Sequence, residues 1–162
     1  MFGKSLNSSK EYFLTDVGWT YAIGIPVEQA VEVLSLAADD ICPLPVPYPA
    51  VLGAIGWRGQ LVWTIALEVW LSLPSTGRTP NLKSGSDLRP TLVLQNPNPN
   101  RILACLIHTL NGIETLNPSD LEALPEAIPQ EIRSFFQGKA PQSNTLILND
   151  RHLFEPKTWK LT

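Results

Sequence analysis

The feature that most constrains this fold is a match of the chain with itself at a displacement of 80 residues. Glu11 to Pro45 lies over Thr91 to Pro125 without a gap. Leu14 meets Leu94, Leu36 meets Leu116, Asp40 meets Asp120, Leu44 meets Leu124 and Pro45 meets Pro125. Val33 with Ile113, Ser35 with Thr115 and Ile41 with Leu121 are conservative pairs. Five identities in 35 positions are few. They carry weight because the turns and apolar runs fall in register as well, which is how a repeated structural unit shows itself.

Each copy opens on a hairpin. Tyr12-Phe13-Leu14 leads to Asp16-Val17-Gly18 and returns through Tyr21 to Ile25. Leu92-Val93-Leu94 leads to Asn96 through Asn100 and returns through Ile102 to Ile107. Asn, Asp, Gly and Pro supply the backbone angles of tight turns. A third strand follows in each copy, Val31 to Leu36 and Gly112 to Leu116, then a polar turn at Ala37 to Asp40 or Asn117 to Asp120. With small shifts, Trp57-Arg58-Gly59 lies over Phe136-Gln137-Gly138 and Val62 to Ile65 over Thr145 to Leu148. That makes about five strands per copy, the content of a small barrel, and closing a sheet into a barrel removes its sticky edges.

Fifteen prolines spread along the 162 residues argue against long helices, because an interior proline removes a donor and clashes with the preceding turn. The reading is all-β, two small barrels sharing a core, with helical turns at Pro26 to Gln29, Leu67 to Leu71 and Ile132 to Phe135. One irregular sandwich is the alternative. Ser72 to Arg89, rich in Ser, Gly, Pro and charge, reads as an exposed linker. The net charge of −3 speaks against a partner held mainly through phosphates. Met1 to Lys10 has no apolar core of a signal peptide. The longest apolar run, Leu61 to Pro74, is broken by Glu68 and too short to span a bilayer. A cytoplasmic location without membrane insertion is expected. There Cys42 and Cys105 serve as buried small hydrophobes, not as a disulfide.

Catalytic and metal constellations do not emerge. Cys105 and His108 stand three apart on one expected strand, so they face opposite sides, and a zinc site with Cys42 and His152 is not expected. No G-x-S-x-G elbow and no Gly-rich phosphate loop is present. Neither enzyme nor cofactor is indicated. Pro43 to Pro49 reads as a stiff corner between strands. Trp63 is expected in a core, and Trp57, beside Arg58, as an exposed anchor. Arg58-Gly59 lies where one apolar strand ends and another begins, and a guanidinium there offers a rigid fork to a carboxylate or carbonyl.

Pro43 through Gln60, ending in Leu52-Gly53-Ala54-Ile55-Gly56-Trp57-Arg58-Gly59, resembles the "plP…vlGvinlRG" run of the CheW family. Tyr21 to Val27 with Val31 to Leu34 resembles "yAlPv…V.EVl", Leu106 to Ile113 resembles "lVD.v.GV", and Leu116 to Pro125 resembles "l.pediepLP". The likeness runs from about Glu11 to Phe154. It implies two interlocked five-stranded SH3-like barrels in one CheW-like domain over 11–156. The first repeat would be about 11–71, the linker 72–89 and the second repeat about 90–154, with a flexible 1–10 and a tail at 157–162. It also implies a non-enzymatic adaptor that joins a methyl-accepting chemoreceptor-type protein to a CheA-like histidine kinase in taxis or motility signalling. The implied contacts are Leu52, Ile55, Trp57, Arg58 and Gly59, with Glu32 and Val33 on the neighbouring strand. The chain departs from the family pattern at Gly56, where Asn is usual, and at Ala66, His108 and Asn149, where Asp is usual. The alternative function is a tandem-barrel module for another ligand such as nucleic acid. It would use Arg78, Lys83 and Arg89 in a basic stripe interleaved with aromatics.

Overall fold

The computed structural model describes residues 9–45, 50–73, 88–97, 100–149 and 154. Val46 to Pro49 of the proline run, Arg78 and Lys83 of the expected linker, and His152 lie outside them. The strands are β1 (Lys10–Asp16), β2 (Ala22–Pro26), β3 (Ala30–Leu36), β4 (Val51–Trp57) and β5 (Gln60–Ala66) in the first copy. In the second they are β6 (Arg89–Pro97), β7 (Asn100–Leu106), β8 (Thr109–Leu116), β9 (Phe136–Lys139) and β10 (Thr145–Leu148). One short helix, α1 (Leu67–Trp70), and 3-10 turns at Val27–Gln29 and Gln130–Phe135 stand where helical turns were expected. Two further 3-10 turns, Ala38–Asp40 and Pro118–Asp120, occupy the expected polar turns. They are held by side chains of their own residues: Asp40 Oδ2 accepts from the Ala37 N–H at 2.8 Å, and Asn117 Oδ1 from the Ser119 N–H at 3.0 Å.

The strands form two five-stranded sheets, in the orders β8-β1-β2-β10-β9 and β3-β6-β7-β5-β4. Each sheet takes the first two strands of one copy and the last three of the other. The sequence copies are therefore not the barrels, and the division into repeats at 11–71 and 90–154 cuts both sheets. The pairing repeats with the copies. Leu146 lies beside Ile23 in the parallel pair of β10 and β2, and Trp63 beside Leu103 in the parallel pair of β5 and β7.

Among the described residues, each barrel is closed at one end by a single two-hydrogen-bond bridge. Cys42 and Ala54 exchange N–H···O bonds of 2.8 and 2.9 Å, and Glu122 and Lys139 do the same at 2.8 and 2.9 Å. The bridges correct one equivalence. Gly138 corresponds to Gly53, the residue before the bridge, and not to Gly59. Both glycines lie against the carbonyl across the bridge, that of Cys42 or that of Glu122, where a side chain has no room. Gly59 instead occupies a hairpin turn.

The central strands carry apolar runs, Leu92 to Leu94 in β6 and Leu103 to Leu106 in β7, that are buried on both faces, while alternate side chains still point opposite ways. Leu92 and Leu94 of β6, Leu103 and Cys105 of β7 and Ile65 of β5 enter a core that also holds Ile23, Ile25, Leu146 and Leu148 of the other sheet. Val93, Ala104, Leu106 and Val62 point the other way, into a core that Leu36, Ile41, Ile55 and Trp57 complete within one sheet. Each fully buried Leu or Ile contributes about 1.5–3 kcal/mol. Trp63 packs against the shared core, as expected. The ends of the expected linker do not behave as linker. Leu73 is buried in the shared core and Arg89 belongs to β6, while 74–87 lie outside the described residues.

Candidate functional site

Of the residues singled out, Glu32, Ile55, Trp57 and Arg58 meet at the mouth of one barrel between β3 and β4, whereas Leu52, Gly59 and Val33 do not line it. These strands are the two edges of their sheet and neighbour each other across a slit that the Cys42–Ala54 bridge closes at one end only. A groove of about 480 Å³ lies between them, lined by Glu32, Leu34, Ser35, Leu36, Asp40, Ile55, Gly56, Trp57 and Arg58. Apolar positions of the barrel interior thus reach a surface with both acidic and basic side chains.

Arg58 is held there by its backbone and by two contacts. Trp57 pairs with Gln60 across the turn between β4 and β5, and the two residues between them have φ of 47° at Arg58 and 78° at Gly59. Two positive φ values are those of the type I′ hairpin turn, which matches the twist of the strands it joins. Glycine adopts this freely, but an arginine in the left-handed region costs about 1–2 kcal/mol. The guanidinium lies over the Trp57 ring, 4.5 Å from its centroid. Its Nη2 donates to Glu32 Oε1 at 3.0 Å. Their side chains remain 61% and 36% exposed, so the pair contributes at most about 1 kcal/mol to stability. The arrangement aims the guanidinium rather than stabilising the fold.

Trp57 corrects an expectation. It is only 7% exposed and belongs to the core of its barrel, because β4 alternates and Trp57 shares the inward face with Ile55. It serves as a platform for Arg58, not as an exposed anchor. Ile55 is also buried and Leu52 half-buried, whereas Val33 and Gly59 are exposed. Leu61, the residue opposite Gly56, is 77% exposed, and sequence reasoning did not single it out. Its signal was the lack of a side chain at Gly56: nothing lies within 4 Å of a Cβ built there.

The other candidates separate. Cys105 is fully buried and burial pushes its thiol well above the usual range. Cys42, expected to be buried, is exposed, because it sits on the outer rim at the closing bridge. A maleimide at neutral pH is therefore expected to label Cys42 alone, and Cys105 only after denaturation, as mass spectrometry of the modified chain will read. His108 lies at the crossover from one sheet to the other, away from Cys105. No group of three or more His, Cys, Asp or Glu among the described residues could hold a metal ion. No helix of the described residues is long and apolar enough to cross a membrane.

A scan against family models matches residues 11–155 to the CheW-like domain. Among solved structures, the chain is similar to the scaffolding protein TtCheW from Thermoanaerobacter tengcongensis. That match has a TM-score of 0.68 at 15% identity, covering 90% of this chain and 88% of that one. A comparison with curated proteins finds no match. The family match spans nearly the whole chain and the shared fold holds both sheets, so the chain belongs to the CheW-like domain family, whose members are non-enzymatic scaffolds of chemotaxis signalling.

Proposed function

We propose that the chain is a cytoplasmic adaptor that holds a chemoreceptor-type protein and a CheA-type histidine kinase together, with the Arg58 face as one of its docking surfaces. The observation that carries this reading is Arg58 itself. A left-handed arginine at a turn that asparagine or glycine would occupy without strain, stacked on a buried tryptophan and still 61% exposed, is a side chain held ready for a partner. Backbone strain of this kind gathers at binding sites. Coupling needs no chemistry from such a protein. Two modest interfaces on one rigid body raise the effective concentration of each partner for the other and set their relative geometry. Glu32 on β3, with Ile55 and Gly56 on β4, lines the groove beside the guanidinium.

The nucleic-acid alternative finds less support. Of its basic residues only Arg89 is described, and its Nε donates to the Ile107 carbonyl at 3.3 Å instead of facing a groove.

The test measures melting temperature and affinity on the same samples, with a CheA-type regulatory domain and a receptor cytoplasmic tip as ligands. Arg58→Glu is expected to change stability by about 1 kcal/mol or less, since it alters an exposed pair. Binding to at least one ligand is expected to weaken about 30-fold or more, because the reversal removes an attraction and sets two carboxylates together with Glu32. Arg58→Lys should recover part of the affinity, as an ammonium lacks the planar fork. Unchanged binding of both ligands by Arg58→Glu moves the docking surface elsewhere. Failure of the unaltered protein to bind either ligand ends the adaptor reading.

A further inference from the structure

The hairpin register fixes which main-chain groups of β4 face away from β5. A two-residue hairpin closes on a hydrogen-bonded pair, here Trp57 with Gln60. Along an antiparallel ladder such pairs alternate with pairs whose N–H and C=O groups point outward. Gly56 and Ala54 therefore turn their main-chain groups away from β5. Ala54 shows this directly: its N–H donates to the Cys42 carbonyl at 2.9 Å and its own carbonyl accepts from the Cys42 N–H at 2.8 Å. Two residues further along the same bridge, Asp40 would stand against Gly56. The 3-10 turn at Ala38–Asp40 carries it off instead, and its N–H donates to the Ala37 carbonyl at 3.0 Å. Among the described residues the outer edge of β4 has no pairing beyond the bridge at Ala54.

Gly56 lines the groove between β3 and β4 and is exposed. A residue paired with it from outside would carry its side chain on the face of Leu61, which lies opposite Gly56 and is itself exposed. Nothing lies within 4 Å of a Cβ at Gly56, so such a side chain has room to reach Leu61. The adjoining residue, opposite Trp57, would turn to the face of Trp57. Two donors stand on that side. The Arg58 guanidinium gives Nη2 to Glu32, and among the described residues its other nitrogens make no hydrogen bond. Trp57 Nε1 is buried and has no acceptor, which is costly for an indole N–H.

We propose that the Gly56 edge of β4 takes a segment of a partner protein as an added antiparallel strand. The segment carries an acidic residue followed directly by an aliphatic one. The aliphatic residue pairs with Gly56 and packs on Leu61, and the acid before it meets the donors of Arg58 and Trp57. Glu32 and Asp40 line the same groove, so the acid is admitted only at the Arg58 end, which fixes the register. In strand addition the main-chain hydrogen bonds supply affinity and alternate side chains supply specificity. This mode of contact rests on the Arg58 face being a docking surface and specifies how a partner meets it.

The experiment follows amide hydrogen exchange of the full chain by nuclear magnetic resonance, alone and with a CheA-type regulatory domain or a receptor cytoplasmic tip. In the free protein the Gly56 amide is expected to exchange about 100-fold faster than those of Ile55 and Trp57, which pair with β5. In the complex it should slow about tenfold or more, while the exposed Gly59 amide is unchanged. Gly56→Pro removes the outward N–H without removing a ladder bond, and should weaken binding about tenfold. If that variant does not fold, exchange in the unaltered chain decides alone. A Gly56 amide already protected in the free protein overturns the proposal. A complex that Arg58→Glu weakens but that leaves Gly56 exchange unchanged overturns strand addition and keeps the docking surface. A complex indifferent to Arg58→Glu, or no complex with either ligand, overturns the docking surface and strand addition with it.

Discussion

Replacing Gly53 with alanine is expected to destabilise the protein by about 3 kcal/mol or more. Two effects add at this position. Gly53 has a φ of +149°, which L residues rarely adopt. A Cβ there would also run into the carbonyl of Cys42, the atom that accepts the Ala54 N–H in the bridge closing its barrel. Backbone, unlike a side-chain tip, has no alternative rotamer, so relief must come from opening the bridge. Gly138→Ala is expected to lose less, about 1–3 kcal/mol, because a Cβ there meets the Glu122 carbonyl at 2.7 Å without a positive φ. Gly56→Ala is the control. Nothing lies within 4 Å of a Cβ at Gly56, so the change should stay within about 0.5 kcal/mol or stabilise slightly by restricting the unfolded chain. Urea denaturation midpoints of the three variants give the order directly. A Gly53→Ala protein as stable as Gly56→Ala would mean that the bridge contributes nothing to closure.

Neither half of the chain is expected to fold alone. A fragment ending at Leu73 carries β1 to β5, and one starting at Leu88 carries β6 to β10. In the first, β1 and β2 lack β8 and β10, while β3 and the β4–β5 hairpin lack the β6–β7 pair that joins them. Hairpins without a third strand are marginal in water. Ile23, Ile25 and Ile65 would also lose Leu92, Leu94, Leu103 and Leu146 from the shared core. Each fragment should show no cooperative thermal transition by circular dichroism. Mixed together, they should regain one, because every pairing between copies can form between chains, and the transition should depend on concentration. A single half that melts cooperatively by itself would contradict the exchange of strands between copies.

That exchange marks the limit of what the residues say on their own. The all-β class, the strand positions and the helical turns at 27–29 and 67–70 follow from proline spacing, turn residues and the 80-residue displacement, all of which act through neighbouring backbone. The family followed from motifs in order, Arg58-Gly59 among them. Which strand pairs with which is a nonlocal matter. A strand of the first copy presents the same face to its own partners and to those of the second, since the copies are alike. Only the shared core, which rewards burying Leu92 against Ile23 and Leu146, separates the two arrangements. The same physics explains the site. Sequence placed Arg58 and Glu32 on one surface. Alternation along β4 turned Trp57 inward beneath the guanidinium, and the bridge left Cys42 on the rim. Glu68 and His108 carry no local pattern that would join them. They meet because α1 and the crossover between sheets pack against the same core, and tertiary packing alone brings a buried acid to an imidazole 40 residues away in sequence.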